Sequence, residues 1–194
     1  EKVYTAEVKN VEEQNKAKYI AMYEDETFKP DAPATRYEVI EALDNLFEIT
    51  SEEFAPAFGD VSEKYKLTVQ KFVTAKILNG YEDKTFKGDN TITRAEFVQM
   101  VVKAFGFGMK GDAANFADVT SADWFSKAVQ VAYTNGVVNG TSATTFSPNA
   151  NITRQDMMVI LTNAAEAVGK NLTAGNAAFA DADSISAYAQ DAVA

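Results

Sequence analysis

Three arginines occupy one place in a recurring pattern. Arg36 lies in Thr35-Arg36-Tyr37-Glu38, Arg94 in Thr93-Arg94-Ala95-Glu96 and Arg154 in Thr153-Arg154-Gln155-Asp156, at separations of 58 and 60 residues. The chain has 18 basic residues and the other fifteen are lysines, yet lysine never takes this position. Threonine followed three residues later by an acid is a helix-capping pattern. Thr35, Thr93 and Thr153 accept from a first-turn N–H, while Glu38 and Glu96 reach back to the cap; Asp156 is shorter than the Glu or Gln this motif favours. Capping accounts for the threonine and the acid, but not for the arginine. A cation in the first turn faces the positive end of the helix dipole, at a cost of roughly 0.3–1 kcal/mol. A planar fork of donors beside exposed N–H groups does suit a bidentate carboxylate or phosphate. That anion is either an Asp or Glu of the protein bridging neighbouring units, or an external acidic ligand. Spacing alone leaves both open.

Composition narrows the remaining chemistry. The 194 residues include no cysteine and no histidine, which excludes disulfides, thiolate or imidazole metal sites and Cys- or His-based triads. With 28 acidic residues the net charge is -10, which disfavours nucleic acid as a partner. No window approaches the ~20 apolar residues of a membrane span. The start, Glu1-Lys2-Val3, lacks the apolar core of a secretory signal. Glycan hydrolysis would need two carboxylates converging across a cleft. Asp60, Asp118, Glu82 and Asp83 read instead as caps and loop residues, so no enzyme is expected. Asp25, Asp83 and Asp89-Asn90 lack the spacing and closing Glu of an EF-hand, so neither metal nor cofactor is expected.

The elements that position the arginines repeat with them. Tyr23-Glu24-Asp25-Glu26-Thr27-Phe28, Tyr81-Glu82-Asp83-Lys84-Thr85-Phe86 and the weaker Thr141-Ser142-Ala143-Thr144-Thr145-Phe146 precede the motifs, each ending in an aromatic anchor. Further upstream, Phe58-Gly59-Asp60-Val61 matches Phe116-Ala117-Asp118-Val119, and Phe179-Ala180-Asp181-Ala182 starts the pattern again. Three landmarks in register define a repeat protein. Each full unit reads as two helices joined by a loop: an aromatic-led helix (Trp124, Phe125, Ala128, Val129, Ala132), an Asn139-Gly140 turn, then the arginine helix. Behind the arginines run the stripes Val39, Ile40, Leu43, Leu46, Phe47; Phe97, Val98, Val101, Ala104, Phe105; and Met157, Met158, Leu161, Ala164, Ala165. Two such helices bury too little alone, so units must pack on one another in an all-α fold. The boundaries are a partial unit at 1–57, units at 58–115 and 116–178, and the start of a further unit at 179–194. Val8-Lys9-Asn10-Val11 reads as a decayed Phe-x-Asp-Val, with only Glu12 to Ala17 left for the helix that should follow. The chain therefore reads as a piece of a longer tandem array. Alternatively, the last segment fills the place of unit one's stunted first half.

Phe-x-Asp-Val, the aromatic-led helix, Asn-Gly, Tyr-x-Asp-x-Thr-Phe and Ile-Thr-Arg-Ala-Glu together resemble the S-layer homology (SLH) domain, with unit two closest through Asn79-Gly80-Tyr81 and Ile92-Thr93-Arg94-Ala95-Glu96. The resemblance implies tandem helix-loop-helix repeats in a pseudo-threefold, multi-lobed helical assembly. It also implies a secreted protein anchored non-covalently to the bacterial cell wall or S-layer. The implied partner is a pyruvylated secondary cell-wall polysaccharide, with other S-layer subunits as further partners. By position, Arg36, Arg94 and Arg154 would contact the carbohydrate carboxylate, helped by helix N-terminal amides. Gly80 and Gly140 would let a sugar approach the backbone. Trp124 would stack on a sugar face or seal the core, with Tyr65 and Tyr188 nearby in the other units. Some departures stand out. Ala21-Met22 replaces Asn-Gly in unit one; Glu26, Lys84 and Thr144 replace a loop glycine; Gly88 stands where Pro30 and Pro148 do. At most two competent grooves are expected between adjacent units, centred on Arg94 and Arg154. The competing reading is a structural or protein-contact module whose arginines make internal salt bridges.

Overall fold

In chain order the elements are β1 (Tyr4–Val8), α1 (Arg36–Leu46), β2 (Phe47–Ser51), α2 (Lys66–Thr74), α3 (Arg94–Phe105), α4 (Ser126–Thr134), α5 (Arg154–Ala167) and α6 (Gln190–Val193). Short 3-10 turns lie at Glu63–Tyr65, Ala182–Ser184 and Ala187–Ala189. The computed structural model describes residues 4–9, 22–170 and 178–193. Helices α1, α3 and α5 each begin at an arginine because the preceding threonine caps them. The Thr35 and Thr93 hydroxyls accept from Glu38 and Glu96 N–H at 3.2 Å, and the two carboxylates accept the threonine N–H at 2.8 and 2.9 Å. Thr153 accepts from Asp156 N–H at 3.2 Å without a return bond, as expected of a side chain one methylene shorter.

Helix α3 ends at Gly106, whose φ of +67° reverses the chain. Helix α1 has no such stop. Phe47-Glu48-Ile49-Thr50 alternates buried and exposed residues and leaves the helix as strand β2, antiparallel to β1 from Tyr4 opposite Ser51 to Val8 opposite Phe47. The fold is therefore mostly helical with one small sheet, a correction to the all-α expectation. Phe47 opens a strand rather than extending the helical stripe, and Val8 belongs to β1. The expected remnant helix at Glu12 to Ala17, and Ala21, lie outside the described residues. Trp124 and Phe125 precede α4 instead of sitting within it, which leaves α2 and α4 nine residues each.

The three loop anchors Phe28, Phe86 and Phe146 are fully buried, and the apolar stripes of α1, α3 and α5 are buried with them except for the partly buried Phe105. Each such side chain contributes about 1.5–3 kcal/mol by leaving water. What joins the units is backbone. Ala34 N–H donates to Ile152 O at 2.9 Å, Ile152 N–H to Ile92 O at 3.0 Å, and Ile92 N–H to Ala34 O at 3.2 Å, so the third bond returns to the first residue. One step outward, the N–H groups of Arg36, Arg94 and Arg154 donate to Asn90, Ala150 and Ala32 at 2.9, 2.8 and 3.0 Å. Tyr37, Ala95 and Gln155 N–H then reach Gly88, Pro148 and Pro30 at 2.9, 3.0 and 3.0 Å. A helix start leaves amides without intrahelical partners, and here a neighbouring unit supplies them. This pairing also explains Gly88. A Cβ there would sit 2.0 Å from the Tyr37 ring, whereas Pro148 and Pro30 face the residues Ala95 and Gln155.

Within units two and three, the first half is clipped to the loop by an aspartate. Asp60 accepts from Phe86 and Lys87 N–H at 2.9 and 2.8 Å; Asp118 accepts from Phe146 and Ser147 N–H at 2.8 and 2.7 Å. Desolvation raises both carboxyls, but the backbone N–H bonds outweigh it and hold them below the ordinary range. At unit one the same two bonds, from Phe28 and Lys29 at 2.7 and 2.8 Å, go to Asp181 near the other end of the chain. The Phe28 and Phe179 rings meet at 5.2 Å, as Phe58 meets Phe86 at 6.1 Å and Phe116 meets Phe146 at 5.8 Å.

Candidate functional site

Each arginine reaches out of its own helix into the loop of another unit. Arg36 donates through Nε to Phe86 O at 2.9 Å and through Nη2 to Asn79 O at 3.2 Å, with its guanidinium over the Phe86 and Tyr81 rings at 4.6 and 4.8 Å. Arg94 donates through Nη2 to Asn139 O at 3.0 Å and lies over Phe146 at 4.9 Å. Its Nη1 is 3.8 Å from Asp156, and its buried Nε has no hydrogen-bond partner. Burial pushes the Arg94 pKa down, with Asp156 opposing. Arg154 donates through Nε to Phe28 O at 2.7 Å, lies over Tyr23 at 4.5 Å, and pairs directly with Glu38. Rings beneath and carbonyls at the edge restrain each cation, so an arginine with donors to spare would lose little conformational freedom on meeting an anion.

Two cavities open beside these guanidinium groups. One, of about 470 Å³, brings together Arg36, Gly80, Trp124, Glu96, Gln99 and Lys103. The other, of about 440 Å³, brings together Arg94, Gly140, Asp156, Asn163, Val159 and Tyr188. Trp124 and Tyr188 are 59% and 62% exposed, so each lines its groove rather than sealing the core. Tyr65 instead stacks on Tyr37 at 4.1 Å. Among the described residues no carboxylate pairs with Arg36. Arg154 is only 1% exposed and its anion is already Glu38, to which Tyr23 also donates at 3.0 Å. The second groove therefore forms on Arg36, not on Arg154 as expected, because Glu38 reaches across the joint.

Two other expectations change in kind. The first-turn amides of α1, α3 and α5 donate to carbonyls of other units or to the capping threonine, so they do not face a ligand. A Cβ on Gly80 would lie 2.3 Å from Phe58 and 2.8 Å from Thr85 O; on Gly140 it would lie 2.3 Å from Ser142 O. Glycine is thus required by the protein's own packing on the side away from the groove. The pairs Thr35 and Glu38, Thr93 and Glu96, and Thr153 and Asp156 all stand at helix starts; Glu96 and Asp156 also line the grooves. Lys103 and Asn163 were missed by sequence reasoning. Each follows an arginine by nine residues on its own helix, about half a turn away in azimuth at 3.6 residues per turn. So α3 gives Arg94 to one groove and Lys103 to the other.

Residues 57–98 and 115–158 match the S-layer homology domain. The chain is 30% identical over 145 residues to an amylopullulanase of Thermoanaerobacterium thermosulfurigenes, covering 73% of this chain and 8% of that protein. It is 31% identical over 140 residues to Exoglucanase XynX of Acetivibrio thermocellus, covering 71% and 13%. It is 33% identical over 133 residues to the surface-layer 125 kDa protein of Lysinibacillus sphaericus, covering 69% and 11%. The chain thus spans only 8–13% of the length of these relatives.

Proposed function

Because this chain belongs to the S-layer homology family through residues 57–98 and 115–158, we propose that it is a secreted anchoring module that holds a protein to the bacterial cell wall by binding its polysaccharide. Relatives with catalytic names and relatives named for the surface layer share this stretch and little else of their length, which supports an anchor rather than a catalyst. The cyclic backbone bonding and the repeated aspartate clips support a pseudo-threefold assembly, in which units at 58–115 and 116–178 are joined by a composite of 1–57 and 179–194.

The ligand group is an acidic sugar substituent, specifically the carboxylate of a pyruvate ketal. One observation carries this reading: two open grooves each place a rigidly held arginine opposite an exposed aromatic ring. The carboxylate meets the free edge of Arg36 or Arg94, and the ring lies on Trp124 or Tyr188. Each site works against a net charge of -10, so affinity per site is modest and retention comes from two grooves engaging one polymer. Pulldown on purified wall polysaccharide tests this. Binding is expected before mild acid removal of ketals and lost after it; equal retention by ketal-free polymer would overturn the carboxylate assignment.

The structural reading holds for one arginine. Arg154 with Glu38 is an internal brace between units, and Arg154→Ala should affect folding rather than ligand binding.

A further inference from the structure

Residues 178–193 dock at unit one and then contribute to a groove elsewhere. Asp181 accepts the Phe28 and Lys29 amides, and Ala180 N–H donates to Glu26 O at 2.9 Å. The equivalent clips at Asp60 and Asp118 join residues 26–29 positions apart; this one joins residues 152–153 apart. From that foothold the segment crosses to the first turn of α5. Gln155, 3% exposed, donates to Asp31 at 2.6 Å and accepts from Ser186 N–H at 3.0 Å, clipping the segment to unit one's loop. On the adjoining residue, Asp156 accepts the Tyr188 hydroxyl at 2.7 Å while standing 3.8 Å from Arg94. Glu38, longer by a methylene, closes onto Arg154; Asp156, shorter and held by Tyr188, leaves the Arg94 groove open. The Arg36 groove takes its ring, Trp124, from unit three, whose own clip is local.

We infer that Asp181 and Gln155 are positioning residues for the Arg94 groove: they seat residues 179–193 so that Tyr188 completes the groove, and ligand binding there and docking of this segment strengthen each other. This rests on reading both grooves as acidic-saccharide sites. The coupling is reciprocal, as linkage requires, and the Arg36 groove stands outside it.

The 4,6-pyruvate ketal of a methyl hexoside serves as probe. Trp124, the one tryptophan, reports the Arg36 groove by fluorescence; the amide resonances of Gly140 and Thr141 report the Arg94 groove. Asp181→Ala should weaken the probe at the Arg94 groove about fivefold or more and leave the Arg36 groove within about twofold. Asp181→Glu should recover part of the loss. In the unaltered chain, saturating probe should slow hydrogen exchange at the Phe28 and Lys29 amides, and Arg94→Ala should abolish that slowing. If Asp181→Ala does not fold, Gln155→Met and Tyr188→Phe carry the same expectation, a loss confined to the Arg94 groove. Equal weakening of both grooves, or none in either, overturns the inference. If Arg94→Ala itself leaves the Gly140 response unchanged, the groove assignment has failed instead.

Discussion

At the Arg36 groove a guanidinium is fixed by two backbone carbonyls and two rings, with some 470 Å³ of space beside it. At the Arg154 joint the same helix position carries a guanidinium on an equivalent carbonyl and equivalent rings, but Glu38, which also accepts the Tyr23 hydroxyl, pairs with it. The motif is shared, so the arginine alone does not decide whether it faces an open groove or an acid of the protein. What differs is where the acid at the third position of the facing helix sends its second carboxylate oxygen. Glu96 caps Thr93 and lines an open groove; Glu38 caps Thr35 through Oε2 and gives Oε1 to Arg154.

The largest test exchanges the two arginines' fates. Arg154→Ala strands a partly buried carboxylate and should cost about 3–5 kcal/mol in urea denaturation. Arg36→Ala removes two bonds to neutral carbonyls, for about 1–3 kcal/mol, while abolishing binding at its groove by calorimetry. Equal stability losses, with binding untouched in both, would erase the distinction. Next, Trp124→Ala should weaken saccharide binding by about 1 kcal/mol, roughly fivefold, with stability little changed because the ring is exposed.

The aspartate clips give a pH test. The Asp60 and Asp118 carboxyls titrate below their ordinary value, so the folded state binds protons less readily than the unfolded chain. Their stabilisation is present above about pH 4 and lost as pH falls through the depressed folded values. Acid unfolding followed by circular dichroism should therefore be less steep in Asp118→Asn. The smallest effect concerns loops. Lys84 holds a φ of +61° without being glycine. Lys84→Gly should relieve strain and stabilise by up to about 1 kcal/mol, whereas Thr144→Gly, where no positive φ occurs, should not.

Much of this was legible in the residues. Threonine capping fixed the starts of α1, α3 and α5, and the buried loop phenylalanines follow from their spacing. The brace at Arg154 was not legible, since nothing local says that Glu38 reaches a helix 116 residues away. Strand β2 was hidden because Phe47 fits the helical stripe equally well, and only its pairing with β1 arbitrates. Lys103 escaped because it serves a different groove from the arginine of its own helix.

The three hydrogen bonds linking Ala34, Ile152 and Ile92 form a loop with no first or last member. A ladder with a free edge can be peeled one rung at a time; a circuit offers no such edge. Were the chain the wall tether proposed above, a pull by flow would have to break several contacts at once, and resistance to shear would reside in the backbone at the hub, away from the two grooves.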